Sequence, residues 1–326
     1  MNPRELRDAV GALDARLPGH VTPDLSVAEL TTYRLGGRVA VGVRVADDDD
    51  LAALADALRG VDLPILVVGR GSNLLVADAG FAGVAIVLTG SFESLAIDPD
   101  QAIVLAGAAV ALPVLARQAA AAGVGGLEFF VGIPGSVGGA VRMNAGGHGS
   151  ETADVLERAW VCTLTGAGAG RVVTVDVGGL ELGYRHSNIG ASDVVTRAEL
   201  HGARDDPDTC EARIDEIVRW RREHQPGGAN AGSVFRNPAG DSAGRLIDAA
   251  GCKGLRVGGA FVSAKHANFF QADRTASADD VYRLVREVQR RVRDHAGVCL
   301  EPELHLVGFE PGSVGSDGSV AGGDER

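Results

Sequence analysis

Between positions 132 and 149 the chain reads GIPGSVGGAVRMNAGGHG, and seven of these eighteen residues are Gly. Backbone so poor in side chains has few ways to be ordered. A flexible linker would be polar and rich in Gly and Ser, whereas here Ile133, Pro134, Val137, Val141 and Met143 interrupt the glycines and Arg142 is the one conventionally charged residue. The pattern is that of packed, defined backbone. Gly without a Cβ tolerates positive φ and lets N–H groups approach a ligand closely. A shorter turn, GRGSN at 69–73, follows the apolar run PILVV. Its Gly69-Arg70-Gly71 begins like a Rossmann fingerprint, but Leu74 stands where the third Gly belongs and no clean helix starts there. A hydride-transfer cofactor held on a Rossmann turn is therefore not expected. Two separated Gly-rich turns can instead grip an extended pyrophosphate through backbone donors. GRGSN taken alone is equally well a tight turn between strands.

A chain of 326 residues is long enough for two or three domains. Its net charge of −12 argues against nucleic acid as a partner, because such binding depends on neutralising phosphates. It leaves room for a small anionic ligand held by local Arg residues. The apolar runs are too short to span a membrane, and the charged N-terminal stretch MNPRELRDAVGALDARL has no signal-peptide core, so a cytoplasmic location is expected. Cys162, Cys210, Cys252 and Cys299 form no CxxC pair and fit no metal spacing. They read as buried free thiols in a reducing compartment, and no metal site is expected. Of 31 basic residues only Lys253 and Lys265 are Lys, leaving 29 Arg. This bias toward Arg bears on one substitution discussed below.

Residues 3–17 read as an amphipathic helix. ADDDD at 46–50 precedes LAALADALRG, and Asp there caps a helix and complements its dipole, which explains the acidic run without a metal. PILVV and VAIVLTG (84–90) read as strands, so the first ninety residues form a helix, a β-α-β segment and further strand. A second unit follows: strand at 102–110, helix at 112–123, the long Gly-rich turn, then strands near 158–164, 171–176 and 193–200. The polar stretch HGARDDPD (201–208) marks a break. Beyond it come a helix at 211–225 with Ile214, Ile217 and Val218 on one face, a helical AGRLIDAAG, a helix at 278–294 and a closing strand at 298–308. The small, polar tail 311–326 is expected to be disordered.

Seven segments then occur together, in order: TTYRLGG (31–37), VGRGSNLLVADAGFAG (68–83), GLEFFVGIPGSVGGAVRMNAGGHG (126–149), YRHS (184–187), NAGSVFRNP (230–238), AGRLIDAAGCKGLRVGGAFVSAKHANFF (243–270) and LEPELHLVG (300–308). In these the chain resembles the UDP-N-acetylenolpyruvoylglucosamine reductase family, also called UDP-N-acetylmuramate dehydrogenases. The resemblance implies an α+β fold: a two-lobed FAD-binding domain of the vanillyl-alcohol-oxidase (PCMH) type and a C-terminal α+β substrate domain. The expected units are an N-terminal helix (1–20), FAD-binding lobes at 21–90 and 91–205, a substrate-binding domain at 206–310 and the tail.

The resemblance further implies noncovalent FAD, NADPH as reductant, and a UDP-sugar enolpyruvyl ether as substrate, reduced to the lactyl ether of a peptidoglycan precursor by a cytoplasmic monomer that binds neither nucleic acid nor membrane. By the same likeness Gly69, Arg70, Gly71, Ser72, Asn73, Leu74, Ile133, Gly135, Ser136, Gly139, Asn144 and Gly146 line the cofactor. Tyr184, Asn237 and His266 contact substrate, while His148 and His186 are incidental. Hydride addition to the enolpyruvyl methylene builds negative charge toward the carboxylate. Such a step needs a cation or acid to hold that charge and a donor to quench it. Arg185 matches the family position that polarises the carboxylate, Glu303 the carboxyl that assists it while protonated, and Ser233 the proton donor.

Two departures stand out: Arg236 occupies a position where the family has Lys, and HANFFQA departs from the usual family ending at Gln271 and Ala272. The short connection from Asn237 to Leu246 suggests a reduced substrate lid. The rival expectations are a flavin oxidase of the same fold acting on an alcohol or sugar, and a catalytically silent nucleotide-sugar sensor.

Overall fold

The computed structural model describes residues 3–61 and 63–309; the tail expected to be disordered lies outside them. In the first lobe, helices α1 (Pro3–Arg16) and α2 (Asp48–Leu58) accompany a four-stranded sheet ordered Val21–Ser26, Arg38–Val45, Phe81–Leu88, Ile65–Val68. The first pair is antiparallel and the other two are parallel. Val39, Val41, Val43 and Val45 recur every second residue and all are buried, the period-2 signature of a strand against a core. The acidic run caps α2: Asp47 Oδ1 accepts the Asp50 N–H at 2.9 Å.

The second lobe is a five-stranded antiparallel sheet ordered Val172–Asp176, Leu156–Thr163, Asp193–His201, Ile103–Gly107, Leu95–Asp98. Helix α3 (Leu112–Ala121) packs into its core. Helix α4 (Val137–Met143) lies inside the Gly-rich stretch, which the sequence presents as a turn. It forms because its first N–H groups find backbone acceptors outside the helix: Val137 N donates to Val110 O at 3.0 Å and Gly138 N to Ala108 O at 2.9 Å. Gly at 138 keeps this approach close, since a Cβ there would lie 3.0 Å from the Ala108 Cβ and press it aside.

The break at 201–208 is a turn and not a linker. Ala203–Arg204 pairs with Val124–Gly125, and Asp206 Oδ2 accepts the Thr209 N–H at 3.0 Å at the head of α5 (Pro207–His224). Cys210 and Ile214 of α5 share a core with Leu115, Ala119 and Phe130. In packing, α5 therefore belongs with the second lobe, although the sequence places it at the start of the third unit.

The third unit holds α6 (Ala243–Ala249), α7 (Ala278–Ala296) and a small antiparallel sheet, Arg256–Val257, Ala260–Val262 and Phe270–Ala272. Val281, Leu284, Val285, Val288 and Val292 form the apolar stripe of α7 and pack with Phe235, Leu246 and Phe270. The chain then returns to the first lobe, where His305–Val307 pairs in parallel with Leu74–Val76. The strand expected over 298–308 is thus only three residues long. Pro302 has no N–H to give a ladder, and the preceding segment meets Val234–Arg236 through a few bonds, among them Glu303 N to Val234 O at 2.8 Å and Arg236 N to Glu301 O at 2.9 Å.

Three of the four thiols, Cys162, Cys210 and Cys252, are buried and free; Cys299 is exposed, contrary to expectation. Among the described residues no helix is long and apolar enough to cross a membrane.

Candidate active site

The turn at 69–73 is pinned from behind. Thr32 N donates to Gly71 O at 3.2 Å. Gly71 has φ +60°, and a Cβ there would lie 1.9 Å from Leu30 O. A Cβ on Gly69 would lie 2.5 Å from Ser136 Oγ, so the two Gly-rich segments approach each other directly. Gly135 and Gly139 differ: a Cβ would meet nothing closer than 3.4 Å at the first and 3.6 Å at the second. What they leave open is the cleft itself. The N–H groups of Gly69, Arg70, Gly71, Ser72 and Asn73 donate to no group among the described residues. Cavities of about 790 Å³ and about 660 Å³ meet here and share Gly69, Arg70, Gly135, Ser136 and Gly139. Unpaired amides, glycine walls and two connected chambers fit an extended dinucleotide such as FAD.

Of the residues expected at the cofactor, Gly69, Arg70, Gly71, Ser72, Asn73, Leu74, Ile133, Gly135, Ser136, Gly139 and Gly146 all line the smaller cavity. Asn144 does not. It is fully buried at the C-cap of α4 with φ +41°, its Nδ2 donating to Gly183 O at 3.0 Å and its Oδ1 accepting the Ala153 N–H at 2.8 Å. Both ends of its amide are spent on the fold.

Arg185, Ser233 and Glu303 come together on the wall of that cavity from three distant segments. Arg185 sits in a turn closed by Gly183 N to His186 O at 3.0 Å and His186 N to Gly183 O at 3.1 Å, and has φ +54°. The left-handed region is strained for a residue other than Gly, and such strain concentrates at functional sites. The turn aims the guanidinium inward, where Nε donates to Glu303 Oε1 at 2.8 Å and Nη2 to Gly146 O at 3.1 Å. The Tyr184 ring lies 5.1 Å from the guanidinium carbon.

The Glu303 side chain is 16% exposed. Burial pushes its pKa above the ordinary carboxyl value, and the opposing pull of Arg185 and Arg236 offsets this only in part. Its backbone is held by Val234 and by Asn73, whose Nδ2 donates to Glu303 O at 3.0 Å. The turn at 69–73 and the acidic residue are therefore tied together. Ser233 bridges to Phe269 through its backbone, and among the described residues its Oγ has no hydrogen-bond partner.

The residues expected to contact substrate lie off the cavity wall. Tyr184 is half-exposed, and its hydroxyl accepts the Asn237 N–H at 3.4 Å. The Asn237 side chain turns away and accepts the Ala243 N–H at 3.0 Å, at the head of α6. His266 packs its ring 4.8 Å from that of Phe269, and burial with nearby Lys253 keeps its pKa below the usual imidazole value. His186, read as incidental, does line the cavity, whereas His148 sits outside it against Trp220. Arg142, Arg221, Asn230 and His305 also line the cavity and were missed. Arg142 carried one usable signal, a lone charge within the Gly-rich stretch. Arg236 lines the cavity too: its Nη2 donates to Arg185 O at 3.3 Å, and its Nε is buried without a partner.

Comparison with known proteins agrees with this division of labour. Residues 39–174 match the profile of an FAD binding domain, and residues 224–307 that of the UDP-N-acetylenolpyruvoylglucosamine reductase C-terminal domain. The second match begins where α5 ends. A UDP-N-acetylenolpyruvoylglucosamine reductase of Acidiphilium cryptum is 43% identical over 89% of this chain and 92% of its own length, and one of Nitrobacter hamburgensis is 42% identical over 93% and 99%. The crystal structure of UDP-N-acetylenolpyruvylglucosamine reductase from Thermus caldophilus superposes with a TM-score of 0.75 at 37% identity, covering 88% of this chain and 98% of that one. With both domain profiles matched in order and relatives aligned over nearly their full length, the chain belongs to the UDP-N-acetylenolpyruvoylglucosamine reductase family.

Proposed function

We propose that the protein is an FAD-dependent, NADPH-oxidising reductase that converts the enolpyruvyl ether of UDP-N-acetylglucosamine to the lactyl ether, UDP-N-acetylmuramate. The observation that carries the reading is the convergence of Arg185, Glu303 and Ser233 on a cavity that opens into the Gly-lined cleft. When bound, FAD supplies the two-electron relay between NADPH and substrate. The chain supplies the rest. Arg185 holds the substrate carboxylate, where negative charge grows as hydride arrives at the methylene carbon. In its protonated form, which burial favours, Glu303 donates a hydrogen bond to the same carboxylate and spares the site a second negative charge. Ser233 Oγ passes its proton to the carbon bearing the carboxylate, which completes the lactyl group. Cytoplasmic action suits both soluble nucleotide partners, and a monomer suffices because one chain contributes all three side chains.

The test is optical. The purified protein should be yellow, bleach on anaerobic addition of NADPH and recolour on adding the enolpyruvyl substrate. Recolouring by oxygen but not by substrate would point to an oxidase, and failure to bleach would point to a silent sensor.

A further inference from the structure

Arg142 has no place in the chemistry above, yet it is set deliberately. It is one of the few residues that line both cavities. Its backbone is held by Ser187, whose Oγ donates to Arg142 O at 2.6 Å, and its Nη1 donates to Gly190 O at 2.8 Å. The remaining guanidinium donors reach no group among the described residues. Asp193, the acid that acts electrostatically on Arg142, is hydrogen-bonded elsewhere: its Oδ1 accepts from Thr163 Oγ1 at 2.7 Å and its Oδ2 from Gly190 N at 2.8 Å. Burial pulls the Arg142 pKa below its usual value and Asp193 offsets this only partly. A half-buried cation with spare donors and no ion-pair partner is costly unless an anion meets it.

The position of Arg142 says which anion. A dinucleotide that fills both chambers must place its middle at the residues they share, among them Gly69, Arg70, Gly135, Ser136, Gly139 and Arg142. The middle of a dinucleotide is its diphosphate. We infer that Arg142 binds the diphosphate of the flavin dinucleotide, together with the unpaired amides of 69–73. This rests on the FAD reading of the cleft. The glycines supply closeness of approach, and Arg142 supplies charge that backbone amides lack.

The experiment compares apoprotein of the wild type, Arg142→Gln and Arg142→Lys. Gln keeps a donor for Gly190 O without the charge, which preserves the fold. Binding of FAD and of ADP is titrated by calorimetry, with circular dichroism as the fold control. Losing a charge-assisted hydrogen bond should weaken FAD and ADP by about 10- to 100-fold in Arg142→Gln, while Lys keeps most of the affinity. The wild type should lose FAD affinity more steeply with added salt than Arg142→Gln does. Affinities of a folded Arg142→Gln protein within twofold of wild type would overturn the inference. So would unchanged ADP binding with an altered flavin midpoint potential, which would move Arg142 to the ring. If the wild-type apoprotein bound no FAD, the functional reading itself would fail first.

Discussion

Glu303 is pulled two ways, and burial wins over the cations beside it. A carboxyl whose folded-state pKa is raised binds its proton more tightly folded than unfolded. The stability it contributes is whole below the unfolded pKa and is lost as pH rises through the raised value. Glu303→Gln, which can still accept from Arg185 Nε, should therefore melt at or above the wild-type temperature once pH exceeds the raised value, and show a flatter melting profile as pH rises from the ordinary carboxyl range through it. Wild-type flavin reoxidation by substrate should slow as pH rises through the raised value, and the Gln variant should lack that alkaline decline while turning over more slowly. A Gln variant with an unchanged alkaline limb would mean that another group titrates there. The convergence of Arg185, Ser233 and Glu303 on one cavity wall was legible because the motifs that carry the family resemblance contain them. Asn144 was misread because nothing local distinguishes an Asn facing a ligand from one capping a short helix in the left-handed region. Tyr184, Asn237 and His266 sit in motifs of the family resemblance, but the Tyr184 hydroxyl accepts from the Asn237 backbone N–H, the Asn237 side chain accepts from the head of α6, and the His266 ring packs on Phe269.

At the level of elements, the glycines of the two turns divide by what a side chain would strike. Gly71 is needed by the fold: its φ is +60° and a Cβ would lie 1.9 Å from Leu30 O. Gly71→Ala should cost about 1–3 kcal/mol or more, read in a melt of the apoprotein. Gly139 is not needed by the fold in this way, since a Cβ there meets only Ser136 Oγ, at 3.6 Å. Gly139→Val should leave the apoprotein melt close to wild type and lower FAD occupancy in the purified protein. Full flavin retention with an unchanged spectrum would remove the cofactor from this loop. Helix α4 itself was not legible, because Gly lowers helix propensity and the bonds that start it go to Val110 and Ala108, more than twenty residues earlier in the chain.

At the scale of the molecule, the site exists because the chain comes back to its beginning. His305–Val307 lies on Leu74–Val76, and Asp78 of the first lobe reaches the head of α7, its Oδ1 accepting from Ala278 N at 3.1 Å and its Oδ2 from Asp279 N at 2.9 Å. These ties set Glu303 against the turn at 69–73. Asp78→Ala should cost about 1–2 kcal/mol, in the range of a lost helix cap, seen as a lower melting temperature with the flavin spectrum intact. Periodicity foretold most helices, but not this return, which depends on contacts between residues over two hundred positions apart.

The account stands most directly on Ser233 as proton donor to the substrate alone. Stopped-flow absorbance of the flavin follows both half-reactions in one instrument. Ser233→Ala should be reduced by NADPH at close to the wild-type rate, because no proton passes to substrate in that step. Its reoxidation by the enolpyruvyl substrate should slow by at least the ~10²-fold typical of a lost general acid, and Ser233→Cys, which keeps an ionisable proton, should recover part of the loss. Reoxidation of the Ala variant at the wild-type rate would contradict the assignment and return the proton to water or to another group on the cavity wall.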